Sequence, residues 1–327
     1  METNSMDAKL VHILNEMSEY LSIPQMKKLQ EVLLKNLTTK EAEENAPTNE
    51  EYLKQFLDAK KIEGCSERTI RYYRSTVAHI LSSISTPLRR ICTDKMRAYL
   101  VDYQKLRNCS RVTVDNVRRN ISSFFAWLEA EDCILKSPMR RIHKIRTRSV
   151  VKETISDEQI EKLRDACREK RDLAIIDLLY STGMRVGELV NLNNADVNLE
   201  QRECIVFGKG NKERRVYFDA RTKLHIREYL RQRRDNNPAL FVTLAAPYKR
   251  LAISGVEIRI RQLGRRLALP RMHPHKFRRT MATRAIEKGM PIEQVQKILD
   301  HSQIDTTMPY AMVNQNNVKH SHQRFIA

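Results

Sequence analysis

The sequence lacks any apolar run approaching the roughly 20 residues that span a bilayer, which excludes a transmembrane helix. It opens Met1-Glu2-Thr3-Asn4, without the basic segment and apolar core of a secretory signal, so the cytoplasm is the expected location. Its six cysteines (Cys65, Cys92, Cys109, Cys133, Cys167, Cys204) form no C-x-x-C pair, which argues against a zinc ribbon or redox motif and for reduced thiols. It has no phosphate-binding P-loop signature and no acidic cluster placed like a two-metal nuclease site, so no cofactor and no metal are expected. No internal repeat is visible.

What is present is positive charge: 59 Lys and Arg against 40 Asp and Glu, a net +19 over 327 residues. Such an excess points to a polyanion, either nucleic acid or an anionic membrane surface. Without a membrane-crossing run, nucleic acid is the preferred partner. The same charge would suit a ribosomal or chromatin protein, so composition names no reaction. The length allows two domains with separate cores, at about 100–200 residues each.

Apolar residues at helical spacing (Leu10, Ile13, Leu14, Met17, Leu21, then Met26, Leu29, Leu33, Leu37 after Pro24) predict a helical hairpin over residues 5–40. A Glu-rich stretch with Pro47 has no apolar face and reads as a linker. Thr48-x-x-Glu51 then matches a capping box, which satisfies orphan amides at a helix start. Four helices are predicted over 49–62, 66–86, 93–106 and 111–131, with Ile121, Phe124, Phe125, Trp127 and Leu128 as core. Lys136 to Arg148 is basic and contains Pro138; it reads either as a solvated linker or as a strap across a phosphate backbone.

A second capping box, Ser156-x-x-Gln159, opens a helix to about Lys170, followed by an apolar helix from Asp172 to Tyr180. Glu203–Phe207 and Arg214–Phe218 alternate on either side of Gly208-Lys209-Gly210-Asn211-Lys212, a hairpin signal. Beyond Pro238 the pattern is helical again, with Ser254-x-x-Glu257 as a cap, His275 at one helix start and Pro291 at another. The expected fold is therefore mainly α with a small antiparallel β-sheet. The expected segments are 1–45 as a helical extension, 48–140 as a helical domain and 150–327 as a second domain with a tail.

Four pieces in the second half carry chemistry: Ser181-Thr-Gly-Met-Arg185-Val-Gly-Glu188-Leu, Gly208-Lys209-Gly-Asn-Lys-Glu-Arg, His275-Lys-Phe-Arg278, and Leu299-Asp-His301 followed by Thr306-Thr-x-x-Tyr310. In order and spacing they resemble the tyrosine recombinases, the family of lambda integrase, Cre and the Xer recombinases. The resemblance covers about residues 150–312, and more weakly the family's helical core-binding domain over about 50–140. It implies a catalytic domain of mixed α/β tyrosine recombinase type and a site-specific recombinase or integrase. Such an enzyme cuts and rejoins DNA through a covalent 3′-phosphotyrosyl intermediate, without ATP or metal.

The chemistry explains the residue types. Attack on a phosphodiester builds extra negative charge on a five-coordinate phosphorus, and fixed cations must meet it. Arg185 and Arg278 match the two catalytic arginines, whose planar, permanently charged forks suit phosphate oxygens. Tyr310 matches the nucleophile, and a phenol with pKa near 10 needs assistance at neutral pH. His275 matches the residue that gives it, His301 a histidine bonding the scissile phosphate, and Lys209 the lysine that protonates the departing 5′ oxygen. Glu188 either orients Arg185 or forms an ordinary helical ion pair.

Two positions depart from the family pattern. Arg279 stands where a histidine is usual, and Asp300 where a glycine is usual, which puts a carboxylate beside the phosphate pocket. Arg68, Arg71, Arg118, Arg119, Lys144, Arg146, Lys212 and Arg279 are candidate DNA contacts, each alternatively part of a solvated face.

The resemblance further implies a C-shaped clamp on double-stranded DNA bearing specific recombination sites. It implies a tetramer on two sites, with accessory DNA-bending or directionality proteins and a tail over Ala311–Ala327 that docks on a neighbour. About 45 residues precede the core-binding region, which favours a mobile-element integrase over Xer-like dimer resolution. Two other readings stay open: a related cutter such as a type IB topoisomerase, and a non-cutting DNA-binding regulator or architectural protein.

Overall fold

The computed structural model describes residues 12–37, 47–84, 86–147, 153–208, 213–301, 303–304 and 307–308. It divides into two compact units, Met1–Arg148 and Ser149–Ala327.

In the first unit residues 12–17 are helical and α1 spans Ile23–Leu37, starting just ahead of Pro24, which the first turn of a helix tolerates. Among its described side chains none is fully buried: Ile23 is 85% exposed, and Met26, Leu29 and Leu33 are half-buried. The ends of the expected hairpin lie outside the described residues. The domain proper is α2 (Asn49–Ile62), α3 (Glu67–Ser83), α4 (Thr93–Arg107) and α5 (Arg111–Ala130).

The α2 capping box forms as read, Glu51 N donating to Thr48 Oγ1 at 3.2 Å and Thr48 N to Glu51 Oε2 at 2.7 Å. Ser66 and Ser110 cap α3 and α5 with the hydroxyl alone, accepting from Thr69 N and Thr113 N. α3 stops at Ser83, short of the predicted 86, and a short 3-10 turn over Leu88–Arg90 follows Pro87. Buried faces of α2 and α5 meet edge to face, with Phe56 to Phe124 centroids 5.2 Å apart, a geometry that aromatic quadrupoles favour.

The basic stretch after α5 is not a free linker at its start. Thr93 Oγ1 donates to Pro138 O at 2.9 Å, Ile145 N donates to the buried Asp115 at 3.0 Å, and Ile142 and Ile145 pack against the core.

The second unit runs α6 (Asp157–Asp165), α7 (Lys170–Thr182), α8 (Val186–Asn191), β1 (Val197–Asn198), β2 (Glu203–Phe207), β3 (Glu213–Tyr217), α9 (Ala220–Gln232), α10 (Ile253–Arg266), α11 (Pro274–Glu287) and α12 (Ile292–Leu299). The antiparallel sheet has order β1-β2-β3, with Cys204 opposite Val216 and Val206 opposite Arg214. β1 pairs through only two residues, too few for an alternation pattern to reveal it.

α7 forms the centre of the core, with Ala174, Ile175, Ile176, Leu178 and Leu179 all buried. One expectation fails: Ser254 is not a cap. α10 already starts at Ile253, because Ala252 O accepts from Val256 N, so Ser254 lies inside the first turn. Among the described residues no helix is long and apolar enough to cross a membrane.

Candidate active site

The site begins with a break between α7 and α8. Gly183 closes α7 at φ +62, and its N–H bonds Leu179 O at 3.1 Å. The left-handed turn favours glycine, and a Cβ there would also have to displace the flexible Met281 side chain of α11, whose Cε lies 2.2 Å from its position. The chain re-enters a helix at Val186, and Arg185 is the cap residue rather than a position inside a helix, as its motif had implied. Its backbone N–H donates to Glu188 Oε2 at 2.7 Å and its Nη1 to Glu188 Oε1 at 2.9 Å. Glu188 therefore fixes Arg185 at both ends.

A second arginine, unmarked in the sequence reading, shares that carboxylate. Arg214 on β3 grips Glu188 with both Nη atoms at 2.6 and 2.7 Å, and its Nε donates to Ile298 O at 3.1 Å. The signal for it was strand parity: Arg214 lies on the same face as the buried Val216, and an arginine pointing inward requires a partner. Burial alone would raise the Glu188 pKa, but hydrogen bonds from Arg214 and from Arg185 outweigh it and hold the carboxyl below its usual range.

α11 brings in Arg278, which is 4% exposed. It donates from Nη1 to Gly183 O at 2.7 Å, from Nη2 to Leu299 O, and from Nη2 to His301 Nε2 at 3.2 Å. Arg185 reaches the same segment, with Nη2 on Asp300 O at 3.1 Å and Nη1 on Asp300 Oδ2 at 3.2 Å. The carbonyls of Gly183, Ile298, Leu299 and Asp300 belong to the C-terminal ends of α7 and α12. Those ends expose unpaired carbonyls and the negative pole of the helix, which explains why three guanidinium groups converge there. Asp300 itself ends α12 at φ +52, the conformation that makes glycine usual at this position.

Two histidines border the cluster. His275, in the first turn of α11, has its pKa lowered by desolvation and then by Arg278 and Arg185. His301 falls to about 4, again by desolvation first and then by the same two arginines. Its Nδ1 lies 2.9 Å from Thr307 Oγ1. Burial beside the two guanidinium groups thus favours the neutral form of both rings.

Lys209, Lys212 and Tyr310 lie outside the described residues, as does the tail. Arg185, Glu188, Arg278 and His301 form one connected group, with His275 on the same helix as Arg278. Arg279 is turned elsewhere, its Nη1 on Glu153 O at 2.8 Å. In the first unit Arg68, Arg71, Arg119, Lys144 and Arg146 are exposed. Arg118 instead donates to the buried Asp115 at 2.8 Å, so its guanidinium is committed within the fold.

A mainly helical body with a three-stranded sheet gathers guanidinium groups and two histidines at helix ends, an arrangement chemically suited to an oxyanion. Residues 153–317 match the phage integrase family model, and residues 52–134 that of the phage integrase N-terminal SAM-like domain. The chain is 30% identical to tyrosine recombinase XerA of Pyrococcus horikoshii over 275 residues, 83% of this chain and 92% of that protein. It is 27% identical to tyrosine recombinase XerC of Oceanobacillus iheyensis over 290 residues, 84% and 95% of the two chains. In fold it is similar to the Tn1549 transposon integrase solved with a circular intermediate DNA (TM-score 0.70, 18% identity, 84% of this chain and 98% of that one). The chain belongs to the phage integrase family: it is a tyrosine recombinase, an enzyme of site-specific recombination.

Proposed function

We propose that this chain binds double-stranded DNA at specific recombination sites and cuts and rejoins it through Tyr310. The phenol oxygen attacks the scissile phosphorus while His275 takes its proton. The bond from phosphorus to the 5′ oxygen breaks, and Lys209 supplies the proton that the leaving oxygen needs. The product is a 3′-phosphotyrosyl link, which a 5′ hydroxyl from the partner duplex reverses. Arg185 and Arg278 hold the non-bridging oxygens as negative charge builds, and His301 adds a hydrogen bond.

The observation that carries this reading is that residues 299–301 fasten both guanidinium groups and supply His301. Cations fixed before the substrate arrives need no reorganisation as charge develops, which is the most effective form of electrostatic catalysis.

Segments 1–45, 48–140 and 150–327 serve as extension, core-binding domain and catalytic domain with tail. Arg68, Arg71, Arg119, Lys144 and Arg146 offer exposed cations for the backbone. Four protomers act on two sites in the cytoplasm, with accessory DNA-bending or directionality proteins where the element requires them. The residues ahead of the core-binding match favour integration of a mobile element. Dimer resolution is the second reading, favoured by similarity over more than nine-tenths of the lengths of the XerA and XerC proteins. Direct repeats at the edges of an inserted element flanking the gene would decide for integration.

The test of cutting is a labelled, nicked site incubated with protein and then denatured. Wild type retains label as a protein–DNA adduct and Tyr310→Phe does not. An intact site with wild type, despite specific binding, would make the chain a DNA-binding regulator instead.

A further inference from the structure

Residues 133–147 contain no Asp or Glu, while Lys136, Arg140, Arg141, Lys144 and Arg146 all carry positive charge. A run of like charge repels itself and ordinarily stays disordered. This one is fastened to the helical unit along its length. Ser137 N donates to Glu129 Oε2 at 3.2 Å, Thr93 Oγ1 to Pro138 O at 2.9 Å, and Ile145 N to Asp115 Oδ1 at 3.0 Å. Met139 is buried, and Ile142 and Ile145 pack against the core, whereas Arg141, Lys144 and Arg146 beside them are exposed. Arg140 pairs with Glu129 at 3.4 Å; among the described residues no ion pair takes up Arg141, Lys144 or Arg146.

Asp115 is only 7% exposed, and burying a carboxylate is costly unless charge and hydrogen bonds meet it. Arg118 Nε donates to the same Oδ1 at 2.8 Å, so an arginine of α5 is withdrawn from the surface to hold this carboxylate. The carboxylate in turn holds a backbone amide 30 residues further along. A merely solvated linker needs no such fastening. A surface for a polyanion gains from it, because cations held in place before binding need not be ordered during it.

We propose that Asp115 is a positioning residue for DNA binding: it pins the segment around Ile145 to the helical unit, so that Arg141, Lys144 and Arg146 stand as a fixed row of contacts for the phosphate backbone. The proposal rests on the DNA-binding function given above. A plain electrostatic role for Asp115 has the opposite sign, since removing a negative charge and releasing Arg118 would strengthen binding to DNA.

The experiment compares full-length wild type, Asp115→Ala, Asp115→Asn, Ile145→Pro, Lys144→Ala/Arg146→Ala and the combination of that pair with Asp115→Ala. Limited trypsin digestion without DNA reads the fastening itself, because trypsin cuts after Lys and Arg where the chain opens locally. Cleavage after Arg141, Lys144 and Arg146 should be about 10-fold faster in Asp115→Ala than in wild type, and Asp115→Asn, which keeps an oxygen for the Ile145 amide, should resist. Ile145→Pro removes the donor while leaving Asp115 and Arg118 together; it should behave as Asp115→Ala and carries the test if the alanine variant does not fold. Affinity is read on a mixed-sequence DNA duplex, since phosphate contacts do not depend on sequence. Asp115→Ala should bind about 10-fold more weakly, the scale of re-ordering one or two residues on binding. The Lys144→Ala/Arg146→Ala pair should lower the salt slope by about 2, one for each phosphate contact. It should weaken wild type by about 10-fold and the Asp115→Ala protein by no more than about threefold.

Unchanged trypsin resistance in both Asp115→Ala and Ile145→Pro, affinity that stays level or rises, or an undiminished penalty from the paired substitution in the Asp115→Ala background would overturn the proposal. Wild type that binds no duplex would instead remove the DNA-binding reading beneath it, leaving the trypsin result to stand separately.

Discussion

At the scale of single residues, Asp300 shows how one substitution acts twice. It holds a left-handed backbone that glycine adopts freely, at a cost of about 1 kcal/mol for a side chain that tolerates it. Its carboxylate also lies 3.2 Å from the Arg185 guanidinium, where a phosphate oxygen is proposed to bind. Asp300→Gly should therefore raise thermal stability slightly and speed adduct formation several-fold, measured by melting and by single-turnover cleavage. A slower variant would mean that the carboxylate supports Arg185 rather than competing for it.

His301 carries a second expectation. Its pKa falls from 6.5 to about 4 on folding, so the unfolded chain binds more protons between those values. Stability from this residue is complete above about pH 6.5 and is lost as the pH falls towards 4. Urea unfolding over that range should show wild type losing stability more steeply than His301→Gln. Parallel curves would contradict this.

At the scale of elements, the buried Asp177 of α7 ties two neighbours, accepting from Arg164 Nε of α6 at 2.7 Å and bonding His225 Nδ1 of α9. Arg164 keeps Glu161 as a second partner at 2.6 Å, so Asp177→Ala should lose about 1.5–3 kcal/mol in chemical denaturation, the scale of a hydrogen bond to a charged group. Arg214 plays a comparable part at the site, joining β3 to Glu188 and to the end of α12. Arg214→Gln should cut adduct formation by about 10-fold or more, through lost alignment of Arg185, while DNA affinity changes little; unchanged cleavage would remove Arg214 from the site.

Much of this architecture was legible in local pattern. The extent of α2, the strand Glu203–Phe207 and two capping boxes follow from neighbours a few residues apart. Arg185, Glu188, Arg278 and His301 were legible as motif pieces, and the structure brings them together. The role of Arg214, the helix break at Gly183 and the loss of Arg118 to Asp115 were not, because each depends on a partner distant in sequence or on backbone geometry.

At the scale of the whole molecule, the net charge of +19 is a statement about DNA affinity rather than about the fold. If the exposed cations of both units neutralise about 6–10 phosphates, affinity should fall by about 10³–10⁵ between 50 and 200 mM salt. A nearly flat dependence would argue against backbone contacts as the main source of binding.

The proposed reaction turns on one covalent bond, and peptide mapping of the denatured adduct tests it most directly. Digestion with trypsin and nuclease followed by mass spectrometry should find the nucleotide remnant on Tyr310, joined through a 3′ phosphate. A remnant on another residue, or one joined through a 5′ phosphate, would contradict it.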